Sequence, residues 1–210
     1  MDKSKAKRLM TMRNKFKQTI KTISLLITLP IFLVYRSMTL FGQPDATFQS
    51  FSQALSLIPG KPGIYIRASF YYLTCPGTSH NISVGFLTIL SHQDTTINEG
   101  VYIGPQSNIG SCHIGKNTLV GSGVHILSGK NQHNFSNMSQ SIQEQGGEIK
   151  KIKIGEDCWI GNQSTVLAPI SNQSIVAAAS LVLDAVPSGQ IVGGHPAKII
   201  RARENGSERK

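Results

Sequence analysis

The sequence predicts an all-β fold, a parallel β-helix, on three observations. An aliphatic residue returns every six positions at Ile97, Ile103 and Ile109, takes one five-residue step to Ile114, continues at Val120 and Ile126, and resumes at Ile154, Ile160 and Val166. Glycine follows it at positions 104, 110, 115, 121, 155 and 161. Only 7% of the 210 residues are aromatic, which suits a narrow aliphatic interior. A period of six is neither the 3.6 of a helix nor the 2 of a strand, and it marks a hexapeptide solenoid. Each unit is read as a short strand and a turn, with the aliphatic side chain inward and the glycine allowing the corner. Three units close one coil.

The N-terminal 43 residues are read as a membrane address, separable from the chemistry. Eight of the 21 Lys and Arg fall within the first 21 positions, so the formal charge of +10 is a property of the tail. The repeat has no basic face interleaved with aromatics, which argues against nucleic acid. The uncharged run Thr22 to Tyr35 would reach about 21 Å as helix, short of the ~30 Å hydrocarbon core. Pro30 is expected to kink it. Together with the basic flank it predicts a retained interfacial or re-entrant anchor, with the basic part kept on the cytoplasmic side.

Residues 44–60 predict a capping helix. Phe48, Phe51, Leu55 and Ile58 share one helical face, Asp45 offers an N-cap, and Pro59-Gly60 is the stop. The domain 61–187 is taken as the β-helix. Gly63 to Phe70, running on through Tyr72, is rich in β-prone residues and is read as the strand that enters it. Ile82 to Leu90 suggests an imperfect first coil.

After Ile126 the repeat breaks, and about 127–151 must project from the scaffold as a polar loop, the kind of place where binding and chemistry gather. His133 lies in its middle. Beyond Ala168 the steps Val166, Val176, Val182 shorten one coil by two residues. A C-terminal segment 188–203 follows, and the charged tail 204–210 reads as disordered. Cys75, Cys112 and Cys158, odd in number and scattered, read as buried free thiols.

Four stretches, PGKPGIYIRASFYY (59–72), VHILSGKNQHNF (124–135), IGEDCWIGNQSTV (154–166) and VGGHPAKIIRAR (192–203), in this order resemble the hexapeptide-repeat acyltransferases, in particular the membrane-associated sugar O-acetyltransferase branch. The resemblance implies a left-handed winding, a homotrimer, and acyl-CoA held in the groove between subunits. It implies His133 as the catalytic base, and cofactor contacts from Trp159, Gly161, Asn162, Ala178, Ser180, Lys198 and Arg201, with Arg203 near the phosphates. One departure stands out: Leu183-Asp184-Ala185 occupies the place where relatives commonly carry Thr-Lys-Asp, which removes a usual phosphate contact.

The chemistry agrees with that assignment. Acyl transfer from a thioester to a hydroxyl needs a base that works near neutral pH, and a histidine with an unperturbed pKa of about 6.5 suits it. His113 and His125 are placed at turns, where they either reach the acceptor or face solvent, and Asn131 joins them as a substrate contact. His80 and His92 carry no motif, and Trp159 packs equally well at a subunit interface. No spacing gathers the three or four ligands a metal needs, so no metal is expected. The reading is an acetyl-CoA-dependent O-acetyltransferase acting on a sugar of a surface polysaccharide or its precursor at the cytoplasmic membrane face. Its rivals are a nucleotide-sugar N-acyltransferase and a non-catalytic or γ-carbonic-anhydrase-like hexapeptide protein.

Overall fold

The computed structural model describes residues 3–204, apart from the side chains of 3–11 and 13–15. The basic side chains expected at Lys3, Lys5, Lys7, Arg8, Arg13 and Lys15, and the tail 205–210, lie outside the described residues. Three helices, α1 (Lys3–Thr39), α2 (Pro44–Ser56) and α3 (Gly60–Thr74), precede a three-faced prism of short parallel strands. The fold is therefore a β-helix with a helical base, and the all-β expectation is corrected.

The aliphatic ladder builds the prism. One face stacks Val84, Ile103, Val120, Ile160, Val176 and Val192 in parallel register. A second stacks Leu90, Ile109, Ile126, Val166 and Val182, and the third Ile97, Ile114, Ile154, Ile170 and Val186. All are buried. Ile170 and Val186 fill third-face positions after four-residue steps, so two coils are shortened, not one. The prism ends in an antiparallel hairpin, Gln190–Gly194 with Ala197–Ala202.

The repeat glycines do a different job from the expected one. The left-handed backbone at the corners belongs to the third residue after each core aliphatic: Leu87, Gln106, Gly123, Gln163 and Ala179 between the first and second faces, and Gly100, Asn117, Asp157, Gln173 and Gly189 between the third and first. The glycines next to the aliphatics sit where the following coil presses close. A Cβ on Gly104 would lie 2.6 Å from the Gly121 carbonyl carbon, and one on Gly161 2.7 Å from Ala178 Cα.

Pro59 and Gly60 are indeed a break, but the next segment is helix, not the expected entry strand. Gly63, Arg67, Phe70, Tyr71 and Thr74 form its buried stripe, at helical spacing. A Cβ on Gly63 would strike the Ile58 carbonyl oxygen. Arg67, fully buried, donates from Nη1 to the carbonyls of Leu55 (3.0 Å), Ser56 (3.4 Å) and Ile58 (2.8 Å), and from Nε to Val84 (3.0 Å). It thus closes the C-terminus of α2 and the open edge of the first coil. Burial, eased by Tyr71, lowers its pKa. Leu90 N–H donates to Ser52 Oγ (2.8 Å) and Leu87 N–H to the Ser56 carbonyl (3.0 Å), completing the cap. Asp45 is no N-cap: Gln43 holds that position without a side-chain bond, and Asp45 reaches the first coil, pairing with His92 Nδ1 (2.9 Å) and accepting from Gln93 N–H (3.1 Å).

Helix α1 runs unbroken through Pro30. Its stretch Phe16–Thr39, 24 residues with mean hydropathy 1.5, is long and apolar enough to cross a membrane, by length and composition only. Its inward side is mixed, with Ile31 and Phe32 packed on the core beside polar groups. Ser24, Thr28 and Tyr35 are buried, while Ile23, Leu26, Ile27, Leu33 and Val34 are exposed. Ser24 Oγ meets Ser69 Oγ at 2.7 Å, and the Tyr35 ring lies 5.5 Å from both Phe51 and Phe70. Residue 43 is therefore not a packing boundary, and the first helix belongs to the same core as α2 and α3.

Candidate active site

The chain leaves the second face after Ile126 and re-enters on the third at Ile152–Ile154. Between these the loop folds on itself. Glu148 N–H donates to the Asn131 carbonyl (2.7 Å), Asn134 N–H to Gly146 (2.9 Å) and Lys150 N–H to Ser128 (2.9 Å). The Gln145 side chain ties the tip, accepting from Asn137 N–H (3.0 Å) and donating to the carbonyls of Asn137 (2.9 Å) and Gln140 (3.0 Å). On this ribbon His133 is exposed, and its imidazole has no partner among the described residues. Both ring nitrogens are open to a substrate hydroxyl.

Under the root of the loop lies a cleft of about 170 Å³. Gln132, next to His133, lines it with Ser91, His92, Asn108 and His125. His125 sits on a strand, not at the expected turn, in an outward row between Asn108 and Thr165. His92 is oriented by Asp45. Motif reading passed over His92, Ser91, Asn108 and Gln132. Ser91 and His92 are neighbours on the first coil and Asn108 lies on the next, and only coil stacking brings them beside His125 and Gln132. Asn131 and Lys130 line an adjoining cleft of about 320 Å³ with Leu183, Asp184 and Ala185, where Lys130 Nζ meets Asp184 at 3.2 Å.

The residues expected to hold the acyl donor lie elsewhere. Trp159 is half-exposed on the first face, in register with Leu119 and Ile175. Gly161, Asn162 and Ala178 form the corner between the first and second faces, where Asn162 Oδ1 accepts from Ser122 N–H at 2.9 Å. Ser180 is buried, its hydroxyl donating to the Ala177 carbonyl (2.7 Å) and accepting from Gly194 N–H (3.3 Å), so its side chain serves the corner. Lys198 and Arg201 are exposed on the last strand, and Arg203 is tied to Asp157 (3.1 Å). His133 stands at the corner between the second and third faces, and one chain does not bring it together with these residues. His113, also on a strand, lies on the third face, bonded to Asn98 Nδ2 (3.1 Å). Burial first, then Lys151 and Lys153, push its pKa down against a raising effect of Glu156.

The cysteines are buried free thiols as read from the sequence. Burial pushes Cys75 up to about 12 and raises Cys112 and Cys158 as well, so none is a ready nucleophile. Among the described residues no group of three or more His, Cys, Asp or Glu could hold a metal ion.

Comparison with known proteins follows the same lines. Residues 94–128 match the family model for the bacterial transferase hexapeptide (six repeats). A protein named for lipopolysaccharide biosynthesis O-acetyl transfer, WbbJ of Escherichia coli K12, is 31% identical over 120 residues, covering 54% of this chain and 60% of that protein. The chain spans between 17% and 60% of the length of the curated relatives it matches. Among solved structures, a maltose O-acetyltransferase from Clostridium difficile superposes with a TM-score of 0.65 at 16% identity, covering 78% of this chain and 90% of that one. A hexapeptide-repeat acetyltransferase from Vibrio cholerae in complex with acetyl coenzyme A gives 0.59 at 20%, covering 79% and 91%. At these identities the likeness is one of fold, and it fits the left-handed winding. Over residues 94–128 the chain is thus similar to the hexapeptide-repeat transferases, and its three-faced prism of parallel strands agrees with that likeness.

Proposed function

We propose that the protein is an acetyl-CoA-dependent O-acetyltransferase acting on a sugar of a surface polysaccharide or its lipid-linked precursor, at the cytoplasmic face of the membrane. The observation that carries this reading is His133, unpartnered on a self-bonded loop beside a polar cleft. A sugar hydroxyl seated among Gln132, Asn108 and His125 gives its proton to the His133 imidazole as its oxygen attacks the thioester carbonyl. The tetrahedral oxyanion collapses, the carbon–sulfur bond breaks, and the proton passes from the imidazolium to the departing thiolate. No covalent enzyme intermediate is needed.

The donor's binding residues belong to a neighbouring copy in this reading. The first face carries an outward row of Tyr102, Leu119 and Trp159, all substantially exposed, and the loop exposes most of Phe135 and nearly all of Met138. Apolar surface of this kind calls for a partner. A homotrimer that sets the loop of one chain against the Trp159 face of the next unites His133 with Gly161, Asn162, Ala178, Lys198 and Arg201. In this reading the exposed apolar side of α1 rests on a bilayer, which its exposed Ile23, Leu26, Ile27, Leu33 and Val34 support. Acyl-CoA consumption against a panel of activated sugars and polysaccharide fragments tests the activity. Turnover of amino sugars alone would replace O- by N-acyl transfer, and no turnover of any acceptor by the full-length protein would end the enzyme reading.

A further inference from the structure

Far from the loop, a cavity of about 360 Å³ opens between α1, α3 and the first coil. Three lysines converge on it, Lys17 and Lys21 from α1 and Lys61 from α3, beside apolar walls that include Phe16, Ile20 and Tyr65. No carboxylate lines it, and among the described residues none of the three lysines is ion-paired. Lys21 Nζ donates to Asn81 Oδ1 (2.9 Å), and the Asn81 amide in turn holds Glu99 (3.0 Å), the acid whose charge reaches Lys21. Burial first and then Lys17 push the Lys21 pKa down, against a raising effect of Glu99. His80, also at the cavity, is hydrogen-bonded to Ser69 (2.9 Å).

Such a site takes an anion, and its surroundings say which kind. Phe16 and Ile20 begin a stripe that continues at four- and three-residue steps through Ile23 and Ile27, both exposed. A soluble phosphate compound has no use for that stripe; a lipid lays its chains along it. We propose that this cavity holds the phosphate headgroup of one anionic membrane lipid, with Lys17, Lys21 and Lys61 around the phosphate and the hydrocarbon chains along Phe16, Ile20, Ile23 and Ile27. The proposal rests on the reading that α1 lies on a bilayer. It adds a defined headgroup site to that reading, where a diffuse basic tail would only attract the surface.

The test uses the full-length protein, vesicles of phosphatidylcholine alone or with phosphatidylglycerol, and native mass spectrometry of the detergent-solubilised protein. Lys17 and Lys61 are exposed, so the variant K17Q/K61Q keeps the fold, and K116Q/K153Q removes the same charge from the coils. At about 1 kcal/mol per lysine, K17Q/K61Q should bind phosphatidylglycerol vesicles roughly 30-fold more weakly than wild type, and the control much less so. Binding to pure phosphatidylcholine should be equal in all three. The wild type should retain one phosphatidylglycerol per chain in the mass spectrum, and K17Q/K61Q none. Equal loss in the control, or lipid retained by K17Q/K61Q, would overturn the site. Glycerol 3-phosphate bound as tightly without vesicles would assign the site to a soluble phosphate and overturn the lipid. Wild type that binds neither vesicle removes the membrane reading and the proposal with it, an outcome distinct from failure of the lysine site alone.

Discussion

Replacing Arg67 with alanine should unlatch the helical base from the coils. The guanidinium is the common donor to carbonyls of Leu55, Ser56, Ile58 and Val84, and its Nη2 lacks a partner. A buried carbonyl stripped of its donor costs about 1–3 kcal/mol. The Leu55 and Ser56 carbonyls keep the N–H groups of Ile58 and Leu87, so the Ile58 and Val84 carbonyls carry the loss, together about 4 kcal/mol. Relief from burying a cation returns part of that, which leaves about 3 kcal/mol. For a chain of this size that is a fall in melting temperature of roughly 6–12 °C. Lysine should rescue little, because an ammonium cannot reach a fan of carbonyls as a planar guanidinium does. The assay is thermal unfolding in detergent together with hydrogen exchange resolved on α2, α3 and the coils. Loss of protection should centre on the end of α2. A variant that melts within about 2 °C of wild type, with α2 amides equally protected, would refute this reasoning.

Four further outcomes are expected. His133→Ala should lower kcat by at least ~10² with an unchanged melting temperature, since the side chain is a base without a structural partner; a folded variant with wild-type turnover removes the base. Ala179→Gly should stabilise by about 0.5–1 kcal/mol in urea melts, because Ala179 is held at φ 55°, where a Cβ is costly; a lower midpoint would contradict the corner analysis. Burial and then Lys21 hold His80 below the ordinary value of 6.5, as burial and two lysines hold His113. The unfolded chain therefore takes up protons that the folded chain refuses, and stability should decline as pH falls from about 6.5 toward the folded values, with no such change above it. A wild-type slope that His113→Asn and His80→Asn leave untouched would exclude them as its source. Finally, a chain beginning at Gln43 loses Tyr35 from among Phe48, Phe51 and Phe70 and should unfold earlier or aggregate; a monodisperse, equally stable product would mean that α1 is only an address.

The period of six made the coils legible because each core position tolerates only an aliphatic side chain. What the sequence hid was hidden for physical reasons. The stripe that α3 buries contains Gly63, Arg67 and Thr74, so a search for apolar periodicity sees β-prone Tyr, Ile and Phe instead of a helix. Helix α1 buries Ser24 and Thr28 while it exposes Ile23, Leu26, Ile27, Leu29 and Leu33, so apolar spacing does not mark the side that packs. The third-face positions of Ile170 and Val186 follow four-residue steps, which a strict hexad skips. His133 was visible because a long insertion interrupts a strict repeat. The cleft beside it was not, since His92 and Asp45 are 47 positions apart and meet only once α2 caps the first coil.

The helical base also acts as a ruler. Helices α2 and α3 are bonded to the bottom of the first coil, and α1 is packed against them, so the exposed apolar side of α1 stands at a fixed distance from every coil. Helix layers are about 10 Å apart and neighbouring coils about 4.8 Å. The polar cleft draws its residues from the first three coils, at Ser91, Asn108 and His125. Its floor therefore lies only some 20–30 Å from that apolar side. Under the proposed function, with α1 on a bilayer, a sugar carried on a membrane lipid would meet the cleft at that height, within the first few units of its attachment. The far units of a long, fully grown polymer would have to bend back to reach it.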